Sequence, residues 1–255
     1  MLAARQLDDY RRGTPGTIFA RGLQLSEADA YRLQARVARL REQDGESVIG
    51  YKVGCTSREI QRQLGIDQPI GGRLFATEQH ISPVSLSISD YDSLAIEGEL
   101  AVQLAEDITD PRMANSDLIR SVGAIFPVIE LHNYVFHSGA PSAAELIANN
   151  GMHAGFVMPA NVHTGLPEDE PGLTIAIDGR IMAEQKHTGA FEAVTRSLRW
   201  LAAELNRQGV PLHADQIVLT GSRAPLFPVA TATTVTVSAP PYREVRAQML
   251  PQAVQ

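Results

Sequence analysis

Residues Leu94 to Leu104, Leu-Ala-Ile-Glu-Gly-Glu-Leu-Ala-Val-Gln-Leu, constrain this chain more than any other stretch. Leu94, Ile96, Leu100, Val102 and Leu104 fall on one face of an extended strand, and Ala95, Glu97, Glu99, Ala101 and Gln103 fall on the other. The two glutamates therefore point the same way from adjacent pleats. Gly98 between them leaves room for close backbone approach. Carboxylates held side by side repel unless a cation or a proton sits between them. Taken alone, the stretch reads first as a half-buried strand with a solvated acidic face, and the rest of the chain has to overturn that reading.

A second apolar run, Ala124 to His132, carries Glu130 near its end, with His132 two residues on and on the same side. A glutamate closing a buried strand is costly unless it is paired or metal-bound. A third run, Ser47 to Gly54, places Lys52 between Gly50 and Gly54, where a ligand or another backbone can come close. Three carboxylates on neighbouring strands suit a hard divalent ion, and oxygen ligands favour Mg²⁺, Mn²⁺ or Ca²⁺ over zinc. The seven histidines lack His-x-x-x-His spacing, so a zinc site has little support. No Gly-x-Ser-x-Gly elbow is present. Cys55 has no motif around it and reads as a structural thiol.

The remaining chain sets these strands in context. Leu2 to Arg12 predicts a short helix, ended by Gly13 and Pro15, and Ser26 caps a second with Tyr31, Leu33, Val37 and Leu40 as its apolar stripe. Residues 1–45 are thus expected to form a helical N-terminal part, and residues 46–255 a β-rich domain that would carry any catalytic site. Ser57 or Thr56 caps a helix ended by Gly65. Residues 65–93 read as loop and short strands, with Gly71-Gly72-Arg73 as a candidate mobile element beside a site or, equally, an ordinary turn. Short helices are expected over 116–122 and 142–150. A strand over 155–158 and a hairpin over 173–185, turning at Asp178-Gly179, are expected next. Phe191 to Gln208 is the clearest helix. Gln216 to Gly221 is a buried strand entering a glycine turn, and Thr233 to Ser238 is the last strand. With no βαβ rhythm the fold class is α+β.

A net charge of −7 argues against nucleic acid or an anionic membrane as partner. No apolar run is long enough to span a bilayer. A single cysteine and an N-terminus without a signal-like segment lead us to expect a reducing cytoplasm.

Several motifs resemble one family when taken in order. They are Gly50-Tyr51-Lys52-Val53-Gly54-Cys55-Thr56-Ser57, Gln63-Leu64-Gly65-Ile66-Asp67-Gln68-Pro69, Ile96-Glu97-Gly98-Glu99-Leu100-Ala101 and Pro127-Val128-Ile129-Glu130. Ala148-Asn149-Asn150, Trp200-Leu201-Ala202 and Val218-Leu219-Thr220-Gly221-Ser222 follow. This order resembles the 2-keto-4-pentenoate hydratase and 4-oxalocrotonate decarboxylase family of the fumarylacetoacetate hydrolase superfamily, from about residue 20 to about residue 245. The resemblance implies a mixed β-sheet rolled into an unclosed barrel, with an N-terminal helical part. It implies Mg²⁺ or Mn²⁺ on Glu97, Glu99 and Glu130. It implies Lys52 holding or polarising a 2-oxo acid, and Thr220 and Gly221 binding its carboxylate, with Arg73 of the glycine-rich element as a further candidate.

The implied activity is hydration of a 2-oxo-4-enoate through a metal-stabilised enolate. Decarboxylation of a 2-oxo-enedioate, carbon-carbon hydrolysis of an acylpyruvate and a non-catalytic partner subunit are the alternatives. A homo-oligomer, or a complex with a related family enzyme, is expected. Departures from the family pattern concern proton handling. Ile70 stands where hydratases carry an acid, Met152 where they carry a serine, and Leu131-His132 where a Ser-Arg pair is common. His132 and His153 are the candidate replacements.

Overall fold

The computed structural model describes residues 1–14, 16–136, 141–186 and 188–251. Pro15, expected to stop the first helix, lies outside them. In chain order the chain forms α1 (Leu2–Arg11), α2 (Thr17–Ala20), α3 (Glu27–Gln43), β1 (Val48–Gly54), α4 (Arg58–Leu64), β2 (Ile70–Phe75), β3 (Gln79–Ser82), β4 (Val84–Ser87) and β5 (Leu94–Leu104). There follow α5 (Asn115–Arg120), β6 (Val122–Asn133), α6 (Ala143–Ala148), β7 (His153–Pro159), β8 (Leu173–Ile177), β9 (Arg180–Gln185), α7 (Ala190–Arg207), β10 (Ile217–Leu219), β11 (Phe227–Pro228), β12 (Thr233–Ser238) and β13 (Val245–Leu250).

The helix signals act as their chemistry requires. Ser26, Ser57 and Ser142 accept the backbone N–H groups of Asp29, Ile60 and Glu145 at the starts of α3, α4 and α6. Gly65 ends α4 in the left-handed region. Asp178 and Gly179, both at positive φ, turn β8 into β9.

Two sheets carry the fold. The larger has strand order β2-β1-β10-β5-β6-β7-β3, with β11 added to β5. The smaller runs β4-β13-β12-β8-β9. Strands β2 and β3 are the two edges of the larger sheet, yet only Ala76–Glu78 separates them in sequence. A flat sheet of this order would hold its edges roughly 28 Å apart, at 4.7–4.9 Å per strand. Three linking residues reach only about 10 Å. The sheet must therefore curl until its edges meet, and because β2 and β3 do not pair, the barrel stays unclosed.

The alternation of β5 and β6 sorts their side chains between the inside and outside of this curl. Ala101, Ala124, Phe126, Val128, Phe156 and Leu219 pack together inside. Outside, Ile96, Ile129 and Leu131 meet Ile175, Val235, Val237 and Ala247 of the smaller sheet. Val102, Leu104 and Ile125 meet Val194, Leu198, Leu201 and Leu205 of α7. Helices α2 and α3 pack on α6 and on Ile70 at the start of β2.

Three local expectations differ from what is observed. Gly71-Gly72-Arg73 is no loop but buried strand, paired with β1 through Val53, Lys52 and Tyr51. Glu130 does not end its strand, since β6 continues to Asn133. A further strand, β13, follows the one expected to be last. Its Arg246, Ala247 and Gln248 are not among the strand-enriched residues, but its period of two buries Val245, Ala247 and Met249.

Candidate active site

Parity decides what lines the mouth of the curl. Glu97 and Glu99 are inward residues of β5, and Glu130 and His132 are inward residues of β6. The register sets Glu97 opposite Glu130 and Ala95 opposite His132. Gly98, pointing the other way, is where Ile175 of the smaller sheet presses in. An added Cβ would lie 2.6 Å from Ile175 Cγ1. His153, the first residue of β7, pairs with His132.

Lys52 comes from farther away. Strand β1 lies beside β10, which in turn lies beside β5. Two glycines clear its path. A Cβ on Gly72 would stand 2.9 Å from Lys52 Cγ, and one on Gly54 3.2 Å from Lys52 Nζ. The ammonium reaches Glu130 Oε1 at 3.0 Å and donates to Gly151 O at 3.3 Å. The Asn149-Asn150-Gly151 turn is thus part of the site. The sequence signal for it was the Ala148-Asn149-Asn150 motif, which does not by itself single out the Gly151 carbonyl.

The cluster is buried. Glu130 is 0%, Glu99 1%, His153 1%, His132 2% and Lys52 3% exposed. The solvated acidic face is therefore excluded, with Glu97 alone partly open. His153 Nδ1 is 2.8 Å from Glu130 Oε1. His132 Nε2 lies 3.4 Å from Glu97 Oε2 and 3.6 Å from Glu130 Oε2.

Electrostatics divide the carboxylates. Burial acts to raise Glu130, but Lys52, His132 and His153 outweigh it and hold its carboxyl well below the usual range. Burial raises Glu99 well above its usual value, the Glu130 and Glu97 charges add to the rise, and Lys52 offsets only part. Burial lowers Lys52, yet Glu130, Glu99 and Glu97 together leave it raised and firmly cationic.

Polar atoms without partners mark where something more fits. Glu130 Oε2, both ring nitrogens of His132 and His153 Nε2 are buried and have no hydrogen-bond partner among the described residues. One donor atom each from Glu97, Glu130 and His132 lies within 4.8 Å of the others. Buried acceptors converging in this way fit a divalent cation. Glu99 does not join that trio. Its Oε2 accepts the Gly221 N–H at 2.9 Å.

Other expected site residues fall elsewhere. Arg73 is not brought to the cluster, because it follows Gly72 on β2 and so faces the helices. Its guanidinium donates to Gln34 and Gln208. Thr220 donates its hydroxyl to Leu100 O at 2.7 Å, which holds β10 to β5 rather than facing a ligand. Gly221 adopts φ +94, and a Cβ there would meet Thr56 at 2.5 Å. Ile70 is buried near Gly151, so this wall is apolar where an acid was usual. Burial pushes the Cys55 thiol up to about 11, consistent with an inert side chain.

No protein-family model matches the chain. Among curated proteins, a 2-keto-4-pentenoate hydratase of Burkholderia vietnamiensis is 29% identical over 207 residues, covering 80% of this chain and 79% of its own. A 2-hydroxyhexa-2,4-dienoate hydratase of Comamonas testosteroni is 29% identical over 216 residues, covering 81% and 80%. Among solved structures, 4-oxalocrotonate decarboxylase from Pseudomonas putida G7, complexed with magnesium and adipate, superposes with a TM-score of 0.87 at 21% identity, over 98% of this chain and 96% of that one. A fumarylpyruvate hydrolase from Pseudomonas aeruginosa, in complex with Mn²⁺ and pyruvate, gives a TM-score of 0.59 at 12% identity, over 79% and 89%. The half-barrel is thus the fold of that decarboxylase. By sequence the chain is similar to curated 2-keto-4-pentenoate and 2-hydroxyhexa-2,4-dienoate hydratases over about four fifths of its length, in keeping with the family that its motifs resemble.

Proposed function

We propose that this protein is a divalent-metal-dependent lyase that hydrates a small 2-oxo-4-enoate. The observation that carries the reading is the convergence between β5 and β6 of buried, unpartnered Glu130 Oε2 and His132 Nε2, 3.6 Å apart, with the partly open Glu97 Oε2 3.4 Å from His132 Nε2, beside a buried cationic lysine. Glu97, Glu99 and Glu130 would hold Mg²⁺ or Mn²⁺, with His132 competing for the place of Glu99. The metal- and carboxylate-bound neighbours of the same fold support this choice of ion.

When bound, the ion supplies positive charge against which a 2-oxo acid can enolise. The protein does the rest. Lys52 stays protonated between Glu130 and the Gly151 carbonyl, so it orients an anionic substrate and does not act as a base. Glu99 accepts the Gly221 N–H, and were it to hold the ion instead, that N–H would be free for the substrate carboxylate. His153, anchored through Nδ1 on Glu130, moves a proton at Nε2. His132 does so at Nδ1. Together they take over from the acid and serine that Ile70 and Met152 replace.

Decarboxylation of a 2-oxo-enedioate shares the same enolate and is the second reading, favoured by the TM-score of 0.87 to a decarboxylase. We place the protein in the cytoplasm, in the breakdown of aromatic compounds, as a homo-oligomer. No helix among the described residues is long and apolar enough to cross a membrane. Incubating the purified protein with Mg²⁺ or Mn²⁺ and a panel of 2-oxo acids, while following water addition, CO₂ release and enolisation together, tests the proposal. Water addition lost in Glu97→Gln supports it. CO₂ release without hydration selects the second reading. No turnover, with metal binding unchanged in Glu97→Gln, overturns both.

A further inference from the structure

Arg73 lies away from the cluster, on the face of β2 opposite to Gly72. It is 7% exposed, and among the described residues its guanidinium donates hydrogen bonds to the neutral side chains of Gln34 and Gln208. Among the described residues no carboxylate pairs with it. Burial lowers its pKa, and Tyr51, Glu42 and Tyr31 offset only part of the fall.

Gln208 also lines a groove of about 760 Å³ between α3 and the C-terminal end of α7. Four arginines line this groove, Arg32, Arg36, Arg39 and Arg207, against two glutamates, Glu27 and Glu204. Arg32 is paired with Asp29, and Arg207 with Glu204. Arg36 and Arg39, one turn apart and exposed, form no ion pair among the described residues. A positive groove of this size is unexpected on a chain of net charge −7. Tyr31, Glu204 and Gln208 belong both to its wall and to the lining around Arg73, so the buried guanidinium lies directly behind it.

We propose that this groove is a second ligand site, for a small molecule carrying two or more oxyanion charges. Arg36 and Arg39 receive one anionic group at the surface, since guanidinium forks match carboxylate and phosphate oxygens. Gln208, which donates to Glu204 and accepts from Arg73, is the side chain that must turn for a second anionic group to reach Arg73. The site is separate from the glutamate cluster. Gly72 on β2 faces Lys52, and Arg73, the next residue, faces the groove.

Trp200, the only tryptophan, lies 3.7 Å from the Cβ position of Gly71 on the same face of β2 and reports on this region. The full chain, without added divalent salt, is titrated separately with inorganic pyrophosphate and with succinate. Trp200 fluorescence is followed, with calorimetry on the same samples. Saturable binding with Kd at or below about 1 mM is expected for at least one of them. Pyrophosphate alone points to a phosphate-bearing ligand, and succinate to a dicarboxylate. Arg36→Ala with Arg39→Ala should weaken binding at least about tenfold without changing the melting temperature, and Glu97→Gln should leave it intact. The proposal is overturned if neither anion saturates or if the double variant titrates like wild type. It is also overturned if Glu97→Gln abolishes binding, or if the double variant changes only the sedimenting mass, which would make the groove a subunit contact.

Discussion

Glu97 on β5 and Glu130 on β6 are register partners, so two carboxylates meet directly across adjacent strands, one of them wholly buried. Like charges so placed destabilise a sheet. Lys52 at 3.0 Å from Glu130 is the internal counterweight. Lys52→Met should therefore destabilise the metal-free protein by roughly 3–5 kcal/mol, the cost of leaving a buried charge unpaired. Urea unfolding measures this, and saturating Mn²⁺ should recover most of the loss. No recovery would mean that the cluster does not take a cation.

A cation that binds only the folded cluster must also raise wild-type stability. At a free metal concentration of 100 times Kd the gain is about 2.7 kcal/mol. The melting temperature should rise with Mg²⁺ or Mn²⁺, fall back on chelation, and stay flat in Glu97→Gln.

Glu99 and His132 are the two candidates for the third ligand place in the proposed metal site, and their variants separate the two. If Glu99 turns from Gly221 towards the ion, Glu99→Gln weakens Mn²⁺ binding by at least about tenfold while His132→Gln changes it little. The reverse order makes His132 the ligand. Calorimetric titration of each variant with MnCl₂ decides.

His132 and His153 should be separable from metal binding if they move protons. His153→Ala is expected to lower kcat by about 10²–10⁴ with metal affinity nearly unchanged. His132→Ala should lower kcat within the same range. Wild-type turnover in both variants would remove the two histidines from the mechanism.

Gly98→Ala tests whether the glycine between the glutamates serves the fold or the site. Its added methyl would meet Ile175 and Val237 of the smaller sheet, not the cluster. A loss of about 1–3 kcal/mol is expected with Mn²⁺ affinity retained. Thermal melts and metal titration on the same sample check both parts.

Much of this site was legible because a period of two is readable without knowing partners. The alternation of Leu94 to Leu104 matches β5 residue for residue and puts both glutamates inside. Arg73 shows where such reading stops. Sequence places it next to two glycines, but only the pairing of Gly72 with Lys52 shows that Gly72 faces inward and Arg73 outward. The link between Lys52 and Glu130 is equally silent, since it depends on β10 lying between β1 and β5. The strand β13 escaped because alanine, arginine and glutamine mask a buried alternation that becomes clear only against β12 and β4.

The placement of β10 also bears on how the site comes into being. Glu97 and Glu130 lie on neighbouring strands joined within one stretch of chain, so their meeting needs little more than a local hairpin. Lys52 reaches them only after residues 217–219 have slotted beside β1, a contact of very long sequence separation. Such contacts form late, and on a chain made from its N-terminus they must wait for nearly the whole length to emerge. The nascent protein therefore passes through a stage in which its acidic pair is assembled and its lysine is not. A cation held by that pair would be the earlier of the two positive charges to arrive.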